Sequence, residues 1–344
     1  MKSNYIMKMS LKIGDLTAEV GTKKFGYLKV KRAASMRTFV FKTVIGPPRP
    51  RTVMIPIMII NGSKPGPTFC ITAGTHACEY AGIAAEIKIY KQTNPENLKG
   101  KLIIVPVVNP ASFWTRTPYV NLQDGMDISA AYGREGTTIS YAIAKTMLEE
   151  VLSKADYIFD IHAGDILEDY YPRTGFARIG DDEVDAGSEM LAKTFGLEVI
   201  SEHTIPPEKT LIGKSALRKP QAMAEVGCCG KLETRYVDMA FRGITNIMKK
   251  LDMIEGKPIL PDKQTRWQSG DFVFTESTGI FYSNVKAGEI VKQGQLLGEI
   301  GNIQGDTIEK LIAPHDGMII LEMYNPVKHH GDLVFKIFKQ LPHR

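Results

Sequence analysis

The chain has 344 residues, 43% of them hydrophobic and 24% charged, with a formal net charge of +5. That length exceeds the usual single core, so a main domain with a smaller companion is expected. Lysines and arginines are scattered rather than clustered with aromatics, which argues against a nucleic-acid surface, and no apolar run approaches the ~18 residues that span a bilayer.

Residues 1–15 contain lysines but no continuous apolar core and do not read as a secretory signal. Residues 1–50 carry Val, Thr and Lys with partial alternation, as in "FGYLKVKRAA" and "TFVFKTVIG". They predict an N-terminal β segment that ends at the proline cluster "GPPRPR" (46–51). From 53 strands and helices alternate. "VMIPIMIING" and "PTFCITAG" predict strands, 80–93 a helix, and "KLIIVPVVNP" a further strand. After a long polar loop, a helix is expected over 138–155, with Ile139, Ile143, Met147, Val151 and Leu152 on its apolar stripe. "DYIFDIHAGD" (156–165) reads as a buried strand running into a polar loop. A helix over 183–195, strands at "LEVI" and "QAMAEVG", and a helix over 234–251 complete the series. In that last helix Val237, Phe241, Ile244, Met248 and Leu251 are in register. The alternation predicts an α/β layer domain over 51–258, with a parallel or mixed sheet.

"GKPILPDKQTRW" (256–267) has the composition of a linker, and beyond it short strands alternate with Gly-containing turns. A small all-β module is expected over 269–344. Its run "VKAGEIVKQGQLLGEI" resembles a biotinyl/lipoyl-like barrel-sandwich hybrid. The comparable turn here, "PHDGMI" (314–319), holds no lysine, so no attached prosthetic group is expected. His329 and His330 read as exposed turn residues. The four cysteines (Cys70, Cys78, Cys228 and Cys229) include one adjacent pair and no C-x-x-C, which suits a reduced, cytoplasmic setting. Cys78 reads as a small packing residue.

The chemistry begins at "GTHACEYAG" (74–82), where an apolar strand hands over to a helical pattern. His76 and Glu79 are three apart, so on a helix both would lie on one face and close on a single ion. Alone, the pair reads rather as a helix-end carboxylate beside a polar histidine. His162 supplies the missing ligand, because it follows a strand just before a Gly-containing turn, where α/β sheets present ligand groups. Asp160, two residues earlier, is placed to accept a proton from the imidazole and fix its tautomer. His76, Glu79 and His162 together form a His₂Glu set of the kind zinc hydrolases use, with a fourth position left for water.

"GTHACEYAG", "VPVVNPASF", "RTPYVNLQDGMD", "DIHAGD" and "AEVG" occur in the order found in the succinylglutamate desuccinylase/aspartoacylase family, a branch of the zinc carboxypeptidase superfamily. The resemblance covers roughly 53–255. It implies a zinc-carboxypeptidase-like mixed sheet flanked by helices, and family members of this kind often carry a C-terminal β module. It further implies one Zn²⁺ per subunit on His76, Glu79 and His162, with Glu225 as the general base. Glu233, the rival for that role, falls near the first turn of a helix, where the dipole explains a carboxylate. Arg116 matches an arginine that would polarise the scissile carbonyl.

The pattern departs from the family at 124–133. Where relatives commonly have an Asn-Arg pair gripping a substrate carboxylate, this chain has Ser129 and Ala130. Alanine cannot replace arginine's bidentate fork. Head-group recognition is then expected from Asp124, Asp127, Ser129 and Arg173, with Arg134 as a further cation. Asp124 and Asp127 are also explained as turn-ordering residues. Asp165 and Glu168 are set outside the catalytic group. The expected activity is zinc-dependent hydrolysis of the amide bond in a small N-acylated amine or amino-acid derivative. A carboxypeptidase-type peptidase and a catalytically silent binding protein are the alternatives. The expected partner is a small acylated molecule, with no nucleic acid and no membrane, and homo-oligomerisation is left open.

Overall fold

The computed structural model describes residues 10–31, 52–205 and 213–342. The stretches "TFVFKTVIG" and "GPPRPR", expected to end the N-terminal segment, lie outside the described residues. Strands β1 (Leu11–Ile13) and β2 (Leu16–Ala18) form a hairpin beside the longer β3 (Thr22–Lys31). Next come β4 (Thr52–Asn61), β5 (Lys64–Ala73), α1 (Tyr80–Gln92), β6 (Lys99–Val105), α2 (Pro110–Thr115) and α3 (Ile139–Thr146). They are followed by β7 (Tyr157–His162), β8 (Glu168–Tyr170), β9 (Arg173–Arg178), α4 (Asp182–Phe195), β10 (Val199–Thr204), β11 (Gln221–Glu225) and α5 (Thr234–Lys250). The C-terminal part is all strand: β12 (Thr265–Phe274), β13 (Gly279–Ser283), β14 (Ile290–Val291), β15 (Leu296–Gly301), β16 (Thr307–Ile312), β17 (Gly317–Met323), β18 (Val327–Lys328) and β19 (Leu333–Gln340).

One large mixed sheet organises the molecule, in the order β14-β17-β19-β12-β10-β9-β11-β7-β5-β6-β4-β3, with β8 on β17. At its centre β11, β7, β5 and β6 run parallel, while β9 is antiparallel to β11. Alternation along β5 and β7 supplies two cores. Phe69, Ile71, Phe159 and Ile161 face α1, α4 and α5, whereas Cys70 and Ile158 face α3 and the N-terminal strands. Among the described residues no helix is long and apolar enough to cross a membrane. The C-terminal strands belong to two sheets: β12, β14, β17 and β19 extend the large one, and β13, β15, β16 and β18 form a four-stranded one.

Three elements depart from the expected pattern. The helix expected over 138–155 is α-helical only to Thr146, then continues as a π turn over Met147–Val151 and a 3₁₀ turn over Leu152–Lys154. The wider turn lets the neighbours Val151 and Leu152 both reach the core, which a regular helix would set about 100° apart. On α5 the buried face is Tyr236, Ala240, Gly243, Ile244 and Ile247, with Val237 and Phe241 only half-buried. Gly243 places it there, because a Cβ at that position would come within 2.4 Å of the Phe195 ring. Strand β9 forms within what the sequence presents as a polar loop, and residues 173–176 of it are buried. Its two terminal arginines hide the strand signal.

Candidate active site

The site lies at the carboxyl ends of β5, β7 and β11, where open α/β sheets present ligand groups. After β5, Gly74 takes a left-handed turn (φ 62°) with Pro106 O just 2.9 Å from where a Cβ would sit, so only glycine fits. That turn delivers His76. Glu79 is the N-cap residue of α1 rather than part of its first turn (φ −93°, ψ 77°). The three-residue spacing therefore works through the turn before the helix instead of along the helix face.

Glu79, 3% exposed, bridges the two histidines: its Oε1 lies 2.8 Å from His76 Nδ1 and its Oε2 2.9 Å from His162 Nδ1. One ligand atom from each of the three residues falls within 4.8 Å of the others. Both Nε2 atoms face further carboxylates, His76 at 3.3 Å from Asp127 Oδ1 and His162 at 3.2 Å from Asp160 Oδ2. Asp160 in turn accepts from Thr72 Oγ1 at 2.6 Å and from the Lys214 ammonium. Burial would lower both imidazoles, but Glu79 and Asp127 hold His76 up at about 11, and Asp160 and Glu79 hold His162 up at about 10. Burial opposes ionisation of Glu79, and the two imidazoles overcome it and keep its carboxyl below the usual range. Three carboxylates around two imidazoles are the electrostatic complement of a divalent cation. With each Nε2 turned to a carboxylate, both Nδ1 atoms are oriented inward, so the donor set fits a metal with N/O preference.

Strand pairing carries the site sideways. Glu225 is the register partner of His162 on one side and of Arg173 on the other, so three polar residues form one row across β7, β11 and β9. Glu225 is buried, and Oε1 lies 3.5 Å from Arg173 Nη2 while Oε2 has no hydrogen-bond partner among the described residues. Burial is the main cause that pushes its carboxyl up to about 7. Arg173 donates from Nη1 to Ser201 Oγ at 2.7 Å and sits over the rings of Tyr170 and Phe338. Gly175 makes room for it: a Cβ there would lie 2.7 Å from Ser201 Oγ and 3.0 Å from Arg173 Nη1. A cavity of about 660 Å³ opens on this face, bounded by Ser129, His162, Arg173, Lys214, Met223 and Lys336 among others.

The remaining expected residues fall in two groups. Asp127 faces the site through His76 and also caps the 3₁₀ turn Ile128–Ala131 by accepting from Ser129 N at 2.7 Å. Ser129 borders the cavity. Asp124 instead holds the loop together, accepting from Ser140 N and Ser140 Oγ, both at 2.8 Å. Arg116 is exposed at the end of α2 with φ 54°, and its guanidinium makes no hydrogen bond or ion pair among the described residues. Glu233 is the N-cap residue of α5 and pairs with Arg235.

Two contributors, Tyr119 and Lys214, are absent from the sequence reading, and Asp165, set outside the catalytic group there, has a positioning contact. The Tyr119 ring stacks on His76 with centroids 4.4 Å apart and planes 11° apart. Asp165 pins that segment to the loop after His162 by accepting from Tyr119 N at 2.7 Å. Lys214, on the 3₁₀ turn Gly213–Leu217, pairs with Asp160 and lies 4.8 Å from the centre of the Tyr132 ring. Tyr119 sits inside the quoted "RTPYVNLQDGMD" stretch, which is the one signal that could have drawn attention to it.

The catalytic-domain model of the succinylglutamate desuccinylase/aspartoacylase group matches residues 65–251. An N-alpha-acetyl-L-2,4-diaminobutyric acid deacetylase of Halomonas elongata is 24% identical over 82% of this chain and 84% of its own length. A succinylglutamate desuccinylase/aspartoacylase structure from Rhodobacter sphaeroides superposes with a TM-score of 0.79 at 22% identity, covering 93% of this chain and 96% of the other. The product-bound ectoine utilization protein EutE (DoeB) of Ruegeria pomeroyi gives 0.79 at 23% identity over 92% and 95% of the two chains. These structures share the mixed-sheet fold.

Proposed function

This chain belongs to the succinylglutamate desuccinylase/aspartoacylase family, and on that premise we propose that it is a zinc-dependent hydrolase that removes the acyl group from a small N-acylated amine or amino-acid derivative. The observation that carries the proposal is the bridging of His76 Nδ1 and His162 Nδ1 by buried Glu79, one strand from a base candidate whose Oε2 has no partner among the described residues. A Zn²⁺ held by those three residues would lower the pKa of a bound water to about 7 and polarise the acyl carbonyl.

The protein's own groups divide the remaining work. Asp127 and Asp160 orient the imidazoles, and Lys214 and Thr72 hold Asp160 in place. Glu225, raised to about 7 by burial, is suited to take a proton from water near neutral pH and return it to the leaving nitrogen. Arg116 is assigned to the developing oxyanion. Its left-handed backbone, with that of Tyr119 (φ 59°), marks the loop beside His76 as strained, a frequent property of functional segments.

Arg173 and Lys336 border the cavity next to Glu225, and we assign them to the substrate's acidic head group in place of the missing Asn-Arg pair. Burial and Arg173 press the Lys336 amine down to about 8, as expected for cations crowded around a space meant for an anion. The four free cysteines favour a reducing, cytoplasmic setting.

The test is a panel of N-acyl amines and amino-acid derivatives offered to zinc-loaded protein, with amine release as the readout. Nα-acetyl-2,4-diaminobutyrate comes first, because the Halomonas elongata relative is named for it. Release that stops on chelation and returns with zinc is the expected result. Release from none of the acyl compounds would overturn the proposal, and turnover of unblocked peptides alone would make the protein a peptidase.

A further inference from the structure

A second cluster of ligating side chains lies away from the histidine centre. Asp169 on β8, with Cys228 and Cys229 on the loop leaving β11, presents one ligand atom each within 4.8 Å of the other two. Consecutive side chains on extended backbone point apart. Here Cys229 takes a left-handed conformation (φ 60°), which lets both thiols of the pair turn to the same side. The loop is fixed by backbone bonds: Cys229 N donates to Glu168 O at 2.8 Å, and Gly230 N to Gly164 O at 3.2 Å. Cys228 Sγ lies 3.7 Å from Tyr236 OH, a donor suited to a thiolate. There is also a way in. A cavity of about 770 Å³ reaches all three residues, and another of about 470 Å³ reaches Asp169 and Cys229 from the side of the C-terminal strands.

From this geometry we infer that Asp169, Cys228 and Cys229 form a second cation site, taking a thiophilic divalent ion such as Zn²⁺ or Cd²⁺ with its fourth position open to the cavity. Two sulfurs and one carboxylate oxygen match the tetrahedral preference of these ions, and thiolates select them over magnesium or calcium. The rival reading, a reactive nucleophilic cysteine, fits poorly. Burial, with Cys228 beside it, holds the Cys229 thiol up at about 12, so without a cation it stays protonated and unreactive. A cation here would tie β8, which pairs with β17, to the loops that follow Glu225 and His162. Its role is a clamp that stiffens the floor beside the histidine centre.

The test uses full-length protein stripped of metal and titrated with Cd²⁺, read by the ultraviolet charge-transfer band of thiolate bound to cadmium. The histidine centre holds no sulfur, so the band reports this cluster whatever the enzyme activity proves to be. Expected is a band that saturates within two equivalents in the wild type, because the histidine centre can take Cd²⁺ as well, that persists in His76→Ala, and that vanishes in Cys228→Ser/Cys229→Ser. If the double variant fails to fold, Cys229→Ser alone should roughly halve the band, and Asp169→Asn should keep it while weakening affinity about tenfold or more. No band in the wild type, or a band indifferent to both cysteine substitutions, overturns the inference.

Discussion

The two halves of the site at the carboxyl ends of the central strands differ in how their polar groups are satisfied. Around Glu79 both imidazoles are held at each ring nitrogen, and Asp160 is shared among His162, Thr72 and Lys214. One strand over, Glu225 Oε2 and Arg173 Nε are buried without hydrogen-bond partners among the described residues. Buried polar atoms are costly to leave unpaired, on the order of 1–3 kcal/mol each. A fold that satisfies one half fully and leaves the other short has built a holder on one side and kept the other for something that arrives. Under the proposed function, the satisfied half would hold the cation and the unpaired half would receive substrate and water.

Substitutions can break this contrast. The largest effect is expected at Glu225. Glu225→Gln should lower kcat about 10²–10⁴-fold, the usual worth of a general base, while zinc content measured by atomic absorption stays at the wild-type level. Loss of zinc together with activity would place Glu225 in the holder instead. Next comes Arg173→Met, expected to raise KM for acidic substrates about tenfold or more and to spare neutral analogues, as steady-state kinetics on matched pairs would show. On the holding side, Asp160→Asn should weaken zinc binding by about 10–100-fold, with activity recovering as zinc is added in excess. Activity that does not recover would mean that Asp160 touches the reaction itself.

The smallest effect is on stability. In metal-free protein the folded Glu225 keeps its proton up to a pH of about 7, whereas an unfolded glutamate releases it near 4.5. Between those values the native state binds more protons than the unfolded state, so unfolding free energy falls as pH rises. The loss is on the order of 3 kcal/mol at most, since each pKa unit corresponds to about 1.4 kcal/mol. Urea melts at pH 5 and pH 7.5 should show a fall in the wild type that is smaller in Glu225→Gln. Equal falls in both would assign the change to other groups.

The parts of the molecule that were legible in the sequence are those with short-range signals. Alternating strands and helices foretold the layered α/β core, because burial on one or two faces imposes a period on the residues themselves. His76 and His162 could be singled out because they lie at or just beyond strand ends, which meet at one side of a sheet, and Glu79 because it stands three residues from His76; the structure brings the three side chains together. What stayed hidden depends on contacts distant in the chain. Lys214 reaches Asp160 from 54 residues away, on a turn with no periodic pattern, and Tyr119 meets His76 from 43 residues away. Strand β9 was missed because Arg173 and Arg178 sit at its ends. Arg173 is buried through Ser201, two aromatic rings and the space left by Gly175, partners that no local window contains. The Ser129-Ala130 replacement and Arg173 were visible in the sequence, but Lys336 joins Arg173 at the cavity only when β9 and β19 are placed in the same sheet.

Zinc K-edge absorption on the Cys228→Ser/Cys229→Ser protein, loaded with one equivalent of zinc, tests the central claim most directly, because the thiol cluster can no longer compete for the ion. The account predicts coordination by two imidazoles and carboxylate or water oxygen, with no sulfur, and loss of one imidazole signal in His76→Ala and in His162→Ala alike. A spectrum with fewer than two imidazoles, or one that neither substitution alters, would contradict it.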